Sequence, residues 1–277
     1  MKNKTRLLAI LAVFALIVAA CGDSGGSSGG AAAEGFTDLE GRTVTVGVEN
    51  AYLPFNYIPL GGTEGEGWDY DAWIEICKLL NCEPEFVESA WPAVIDQVAQ
   101  GDLDTAADGI SITDERKEIV DYSDSYMVVQ QKFIVQKGDN RYANAQAVID
   151  SDAVVATQVG TTNYELAESL VGADRIQAFD QFALAIQALI AGDVDVVIID
   201  DAAGLGYIGA DVDSIETIDD GLQSDPLGFI FPQGSDLVGP VNEAIQELKD
   251  NGVFDDLGVK WFGVDFDLGY DDIEEVG

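Results

Sequence analysis

The order of its apolar segments restricts the fold of this chain more than any other feature. Strand-like segments at 43–48, 84–88 and 104–110 alternate with helical patterns at 69–80 and 92–100. A strand that is followed by a helix and then by another strand forms a parallel pair, because the helix carries the chain back to the starting edge. The order therefore predicts an α/β unit with a parallel sheet. Asp69 is predicted to be the N-cap of its helix.

A short internal sequence repeat indicates that this α/β unit occurs twice. A helix, the turn Gly-Asp-Leu-Asp and a strand occupy 92–110, and a helix, the turn Gly-Asp-Val-Asp and a strand occupy 182–199. A strand at 154–158 and the helix after it extend the same alternation through the second half. The length of 277 residues suits two medium α/β lobes. Extended runs at 127–136 and 228–231 are predicted to cross between these lobes.

The stretch GDLDTAADGISITDERKEIVDYSDSY, residues 101–126, contains one residue whose charge does not suit its predicted position at the start of a helix. Thr113 is a good N-cap, and the two acidic residues after it suit the positive end of a helix. Arg116 does not suit that end, and a residue set against its local preference is a candidate for function. A guanidinium beside free helix N–H groups binds an anion, most simply a carboxylate. The alternative is a surface arginine bonded to a neighbouring aspartate.

Two positions in the second half of the chain are also candidates for binding a charged group. The residues Gly-Thr-Thr at 160–162 lead into another predicted helix, with Thr161 and Thr162 as possible N-caps, and a helix start offers unpaired N–H groups to an anion. Asp200 follows the buried strand at 194–199, and ligands collect at the carboxyl ends of strands in open α/β sheets. An acid there is able to receive an ammonium group. The alternative for Asp200 is a helix cap.

The chain is strongly acidic, with 13 basic and 51 acidic residues and a formal net charge of −38. Such a surface repels nucleic acid and anionic lipid headgroups, so neither is expected as a partner. The acidic residues are spread along the chain, which favours a hydrated exterior over a site for a basic partner. The chain has no histidine and three cysteines, so no metal is expected. No Gly-rich phosphate loop follows the first strand, so no nucleotide cofactor is expected.

The N-terminal residues are typical of an exported protein. Residues 1–20 combine a basic start with an apolar run from Leu7 to Ala20, which is short for a membrane span and right for a signal peptide. The residues Val-Ala-Ala before Cys21 resemble the lipobox of bacterial lipoproteins, which implies cleavage before Cys21 and lipid on its thiol. Residues 21–38 are interpreted as this cysteine and a flexible tether, and 265–277 as an acidic tail.

The segment GISITDERKEIVDYSDSY resembles the signature of the family 3 solute-binding proteins, the polar amino-acid receptors of ABC importers. GWDYDAWIEICKLLN resembles the family's first-helix motif and GVFDDLGVKWFG its closing motif, so the likeness covers nearly all of residues 40–263. It implies the type II periplasmic-binding-protein fold, with two α/β lobes, two crossing strands and a ligand cleft between the lobes. Lobe 1 is expected at 39–128 and 228–264, and lobe 2 at 129–227.

The same resemblance implies a function. The chain is expected to be a substrate-binding lipoprotein, monomeric and without a cofactor, that captures a free amino acid by hinge closure and delivers it to a membrane permease. It would lie in the periplasm or at the cell surface and touch the membrane only through its lipid anchor. The alternatives are an enzyme on the same fold, such as a cyclic-acid dehydratase, and a ligand sensor subunit. No separate catalytic motif is visible, so no catalytic residue is predicted.

The site roles are carried over from the family at matching positions. Arg116, with the region of Ser111 and Thr162, is expected to hold the ligand carboxylate. Asp200, helped by the Gly109 carbonyl, is expected to hold the ammonium group. Tyr52 and Trp91 match positions where the family places aromatic residues against the ligand side chain. The alternative for both is ordinary core packing.

Two acidic residues bear on ligand choice. Glu49 ends the first strand, where relatives often have a polar or acidic residue, and Asp108 stands where relatives usually have a small Ala or Ser. If both face the cleft, the site favours a basic side chain such as arginine, lysine or ornithine. The alternative for Asp108 is a bond to Arg116 or to a backbone N–H. Cys77 and Cys82 are a separate question, because an exported protein permits a disulfide but this spacing allows one only if the helix ends between them.

Overall fold

The computed structural model describes residues 31–210 and 213–263 as two α/β lobes, in agreement with the predicted fold class. The strands are β1 (Arg42–Val48), β2 (Ala51–Tyr52), β3 (Asn56–Tyr57), β4 (Cys82–Glu88), β5 (Thr105–Ala106), β6 (Val120–Tyr122), β7 (Met127–Gln136), β8 (Val155–Gln158), β9 (Ile176–Phe179), β10 (Val196–Asp200), β11 (Ile215–Thr217), β12 (Ser224–Leu227) and β13 (Ile230–Pro232). The helices are α1 (Trp68–Leu80), α2 (Ala93–Gln100), α3 (Ala145–Ile149), α4 (Thr162–Val171), α5 (Phe182–Ala191), α6 (Asp201–Ala210), α7 (Val238–Asp250) and α8 (Val253–Phe262). Short 3-10 turns occupy Arg116–Glu118 and Ala173–Arg175.

The first sheet has the strand order β4-β1-β5-β13-β6. Strand β1 pairs in parallel with β4 and β5, whereas β13 pairs in an antiparallel manner with β5 and β6. Helix α2 packs on the sheet, and α1 contacts α7 and α8. The last two helices therefore return to the lobe in which the chain began.

The second sheet has the order β11-β7-β10-β8-β9, and β12 also pairs with β7. Strands β10, β8 and β9 are parallel, so their carboxyl ends lie at one edge. Helices α4 and α5 pack against β8 and β10, and α6 packs against β7. Buried aliphatic side chains on β10 form the centre of this lobe. The two copies of the internal sequence repeat thus belong to two separate sheets.

The chain passes between the sheets twice, and the two crossing segments are bonded to each other. The Ser123 N–H donates to the Phe229 carbonyl at 2.9 Å, and the Tyr126 N–H donates to the Leu227 carbonyl at 3.0 Å. The rings of Tyr126 and Phe229 lie 4.5 Å apart, and Tyr126 stacks on Trp68 at 4.7 Å. An aromatic cluster in the first lobe therefore anchors both connections.

Three local predictions differ from the structure. The helix predicted to begin at Thr113 is only a three-residue 3-10 turn, because residues 120–122 leave it to pair with β13. Thr113 Oγ1 still accepts from the Arg116 N–H at 3.2 Å. The strand predicted at 104–110 is paired only at Thr105–Ala106. The N-cap of α1 is Gly67, and Asp69 lies buried in the first turn instead.

Cys77 and Cys82 form a disulfide in this structure. Helix α1 ends at Leu80, and Asn81 adopts a left-handed conformation with φ 53°. The chain therefore turns back between the two cysteines, and their Cα atoms lie 4.6 Å apart.

The beginning of the described chain is held against the end of α1. The Ala33 N–H donates to the Leu79 carbonyl at 2.9 Å, and the Leu39 N–H donates to the Leu80 carbonyl at 2.8 Å. Part of the segment interpreted as a tether is thus packed on the first lobe. The predicted signal peptide, Cys21 and the acidic tail lie outside the described residues.

Within residues 31–210 and 213–263, none of the helices combines the length and the apolar character that a membrane crossing requires. The same residues contain no group of three or more acidic or cysteine side chains arranged to hold a metal ion.

Candidate ligand-binding site

A cavity lies between the two lobes and encloses about 310 Å³ of empty space, counted out to the solvent at its mouth. All nine residues predicted to bind the ligand line it. The first lobe contributes Glu49, Tyr52, Trp91, Asp108, Gly109, Ser111 and Arg116, and the second contributes Gln158, Thr161, Thr162, Asn163, Phe182 and Asp200. Most of these positions follow the carboxyl ends of the parallel strands β1, β5, β8 and β10, where open α/β sheets collect ligands.

Arg116 lies on the first-lobe wall of the cavity. Its Nη1 donates to the Ser111 carbonyl at 3.0 Å, and its Nη2 donates to the Gly160 carbonyl of the other lobe at 3.4 Å. The guanidinium carbon stacks over the Trp91 ring, 5.0 Å from its centroid. A guanidinium has five N–H donors, and these two bonds leave others for an anion. Because the turn at Thr113 is so short, the anion-binding capacity here rests on the guanidinium rather than on a helix end.

The start of α4 faces Arg116 from the second lobe. Thr161 is the N-cap of α4, and its hydroxyl accepts from the Tyr164 N–H at 3.1 Å while it donates to the Gln158 carbonyl at 2.8 Å. Thr162 Oγ1 lies 3.2 Å from Ser111 Oγ, so the two hydroxyls bond across the cleft. The first turn of this ten-residue helix presents its N–H groups to the same cavity.

Asp200 is the buried acid at the end of β10. Its carboxylate accepts from the Tyr52 hydroxyl at 2.9 Å and from Asn163 Nδ2 at 3.0 Å. Burial raises the pKa of Asp200 to about 6, although these two hydrogen bonds lower it in part. Tyr52 belongs to the first lobe, so this bond also joins the lobes. The carboxylate remains mostly ionised at neutral pH and is able to receive a cation.

Glu49 and Asp108 form a second acidic group in the cavity wall. Glu49 Oε1 accepts from Gln158 Nε2 at 2.7 Å, and Asp108 Oδ1 accepts from Asn56 Nδ2 at 2.8 Å. No lysine or arginine among the described residues forms an ion pair with either acid. Burial raises the pKa of Asp108 to about 7, and burial with repulsion from Asp108 raises the pKa of Glu49 well above its usual value. The pair therefore favours a positive charge placed between its members.

Gly109 allows Tyr52 to approach the cavity floor. Its φ is +54°, and a Cβ at this position would lie 2.6 Å from Tyr52 Cε1. The Tyr52 ring stacks between Phe55 at 5.2 Å and Phe182 at 5.5 Å. A glycine is therefore required both by the backbone conformation and by the ring above it.

Four lining residues were missed by the sequence analysis: Gln158, Thr161, Asn163 and Phe182. Gln158 is the last residue of β8, so the strand-end rule that identified Asp200 would also have found it. Thr161 and Asn163 flank the predicted Thr162 at the start of α4. Phe182 has no local signal, because it is one apolar residue of an apolar helix.

Two lobes around a cleft that is lined by a cation, three acids and aromatic rings define a receptor for a small polar ligand. The model of the bacterial extracellular solute-binding proteins, family 3, matches residues 44–264. The chain belongs to this family, and the predicted family and fold class are confirmed.

Three relatives illustrate the likeness. The arginine-, lysine-, histidine-binding protein ArtJ of Geobacillus stearothermophilus is similar in structure, with a TM-score of 0.74, 31% identity, and coverage of 80% of this chain and 96% of that protein. The L-cystine-binding protein TcyJ of Escherichia coli K12 is 27% identical over 82% of this chain and 85% of its own. The L-arginine-binding protein of Pseudomonas aeruginosa is 25% identical over 81% of this chain and 89% of its own. These relatives are binding proteins, so they favour the receptor over the enzyme.

Proposed function

We propose that this protein is the receptor of an ABC importer for a free amino acid with a basic side chain. The observation that carries the proposal is the pair of buried acids, Glu49 and Asp108, in a cavity whose opposite parts offer one guanidinium and a third acid. An amino-acid head group needs one cationic and one anionic partner, because an unpaired buried charge costs several kcal/mol. The cavity contains both.

The head group would be held by residues from both lobes. Arg116, with Ser111 and the first turn of α4 at Thr162, would bind the carboxylate. Asp200 would receive the ammonium group, with the Gly109 carbonyl beside it. Tyr52 and Trp91 would enclose the aliphatic part of the side chain and would contact a side-chain cation through their ring faces.

Charge balance favours a basic side chain. The charged head group offsets Arg116 and Asp200, which leaves Glu49 and Asp108 with no cation of the described protein beside them. A neutral side chain would leave both acids to be neutralised by protons. A guanidinium or ammonium would instead pair with the acids and replace at least one proton. Two of the three relatives named above support this class, since ArtJ is an arginine-, lysine-, histidine-binding protein and the Pseudomonas aeruginosa relative is an L-arginine-binding protein, whereas TcyJ is an L-cystine-binding protein.

Ligand capture would be coupled to closure of the lobes. Residues 39–128 and 228–264 would form one lobe and residues 129–227 the other, and the lobes would move relative to each other about the crossing segments at 123–126 and 227–229. A ligand that contacts both lobes stabilises the closed form and shifts the population toward it. The permease would then recognise the closed form. A sensor subunit would use the same closure and differs only in the partner that reads it.

The predicted export signals complete the proposal. Signal-peptide cleavage before Cys21 and lipidation of its thiol would anchor a monomer to the membrane at the periplasmic or cell-surface side. Mass spectrometry of the N-terminal peptide from membranes tests this step. An unmodified Cys21 would leave the receptor unanchored and would contradict it.

The binding test is calorimetry of residues 22–277, purified through unfolding to remove bound ligand, against the twenty amino acids and ornithine. Tight binding of arginine, lysine or ornithine, lost in Arg116→Ala and weakened in Glu49→Gln and Asp108→Ser, is the expected result. Tight binding of glutamine or an apolar amino acid would keep the receptor and reject the basic ligand. Absence of binding to all of them would refute the proposal.

A further inference from the structure

Asn56 lies behind the cavity wall and joins two acids. Its side chain is fully buried. The Nδ2 group donates to Asp108 Oδ1 at 2.8 Å and to Asp69 Oδ2 at 2.9 Å, so both of its N–H bonds are used. Its Oδ1 accepts from the Asn50 N–H at 2.7 Å. The three bonds fix the amide in one orientation, although Asn56 itself does not line the cavity.

The two acids that Asn56 joins face different surroundings. Asp69 belongs to the first turn of α1, and its N–H donates to the Phe55 carbonyl at 2.9 Å, so it is tied to the loop that carries Asn56. Asp108 lines the cavity, and its Oδ2 has no hydrogen-bond partner among the described residues. The amide thus binds one oxygen of Asp108, and the other oxygen is buried.

We propose that Asn56, held by Asp69 and the Asn50 backbone, is the positioning residue for Asp108 and sets how strongly the site prefers a cationic side chain to a neutral one of equal length. The inference rests on the proposed function, because it concerns which amino acid the same cavity accepts. Nothing in the local sequence around Asn56 indicates this role, since the two carboxyl groups come from α1 and from the residues after β5.

The preference follows from the charge of Asp108. A hydrogen bond from an amide favours the ionised form of a carboxyl, and Asn56 lowers the pKa of Asp108 against the rise that burial causes. Without that bond Asp108 holds its proton to higher pH, and a protonated acid distinguishes little between a guanidinium and its neutral analogue. The other titratable or charged groups that face Asp108 are Glu49, Asp69, Asp200, Arg116, Tyr52 and Tyr126.

The experiment compares arginine with citrulline, which has the same length and a neutral end. Calorimetry of residues 22–277 between pH 6 and 9 gives the ratio of the two affinities for the wild type, Asn56→Ser and Asn56→Leu. The arginine preference is expected to fall by about tenfold in Asn56→Leu, the loss typical of one hydrogen bond to a charged group, and by less in Asn56→Ser. The midpoint of the pH profile for arginine is expected to move to higher pH in both.

The control variant is Asn144→Ser. Asn144 is exposed and is the N-cap of α3 in the second lobe, and serine is also a good N-cap, so the helix should be preserved. It is expected to retain both the ratio and the midpoint. A defect that only loosens the fold would weaken arginine and citrulline equally and would leave the midpoint unchanged. That outcome in a folded Asn56 variant would overturn the proposal.

The remaining outcomes distinguish a failure of the proposed function from a failure of this inference. If the wild type binds neither of these ligands nor lysine or ornithine, the proposed function fails and the inference fails with it. If the wild type prefers the basic amino acid to its neutral analogue of equal length and the Asn56 variants keep that preference, only the inference fails. If both variants misfold, NMR of the wild type decides, because the Asn56 side-chain amide signals must follow the titration of Asp108 and must shift more with arginine than with citrulline. Unchanged signals would overturn the proposal.

Discussion

Replacing Asp108 by asparagine is expected to stabilise the ligand-free protein and to weaken its binding. Burial raises the pKa of Asp108 from 3.8 to about 7 in the folded state. Between these pH values the native state holds a proton that the unfolded state has released, so the stability of the wild type falls as pH rises through this window. Asparagine has the shape of aspartate and no charge, so it removes this dependence.

The magnitude follows from the two pKa values. One pKa unit corresponds to about 1.4 kcal/mol, so the raised pKa of Asp108 lowers the free energy of unfolding by about 2 kcal/mol at pH 5 and by about 4 kcal/mol at pH 8. The free energy of unfolding gained by Asp108→Asn is therefore expected to be about 2 to 3 kcal/mol larger at pH 8 than at pH 5. Repulsion between Glu49 and Asp108 adds to the gain in the same direction. A lost or new hydrogen bond of the amide cancels from the comparison, because it does not depend on pH.

The assay is urea unfolding of residues 22–277, stripped of ligand, at pH 5 and pH 8. Asp96→Asn, an exposed position on α2, serves as the control for removal of one negative charge. A gain that is equal at the two pH values, or that is matched by Asp96→Asn, would refute the reasoning about Asp108. Calorimetry with arginine on the same variants should show weaker binding for Asp108→Asn alone.

Three other predictions address the site and the frame. Arg116→Ala should weaken ligand binding by about 3 kcal/mol or more, since it leaves the ligand carboxylate buried without its cationic partner; unchanged affinity in calorimetry would contradict the head-group assignment. Gly109→Ala should weaken binding about tenfold, because the methyl group meets the Tyr52 ring at a left-handed backbone position, and circular dichroism should report a normal fold. Replacing Cys77 and Cys82 together by alanine should lower the free energy of unfolding by about 2 kcal/mol, the value for so short a loop, and a reductant should then have no effect on the variant.

The frame of the site was predictable from local patterns. The alternation of strands and helices gave two α/β units, and the strand-end rule identified Asp200 before any tertiary contact was known. Arg116 was identified because it conflicts with the helix start at Thr113. The helix itself was wrong: the residues after Arg116 have partners in β13, which lies more than a hundred positions later, and that pairing ends the turn.

The turn at the start of α4, which lines the site from the second lobe, was predicted with fewer errors. Thr161 caps α4 through its own hydroxyl, and a cap is a short-range interaction that the residue types alone indicate. Asp69 was assigned a similar role, yet a buried amide from β3 engages it and Gly67 caps the helix instead. A long-range hydrogen bond replaced the local one, and propensity does not report such competition.

The amino-acid sequence by itself determined the order of strands and helices, the division into two sheets, and the positions that follow strand ends, because these depend on periodicity and short-range capping. The tertiary structure alone decided which of those positions meet. Tyr52 reaches Asp200 across 148 positions, Gln158 reaches Glu49 across 109, and Asn56 joins the acids of two separate elements. Such contacts depend on how the lobes pack and how the carboxyl groups are buried, and burial by distant residues leaves no mark in the local pattern. The charge state of the site is therefore a property of the fold, although each of its residues is visible in the sequence.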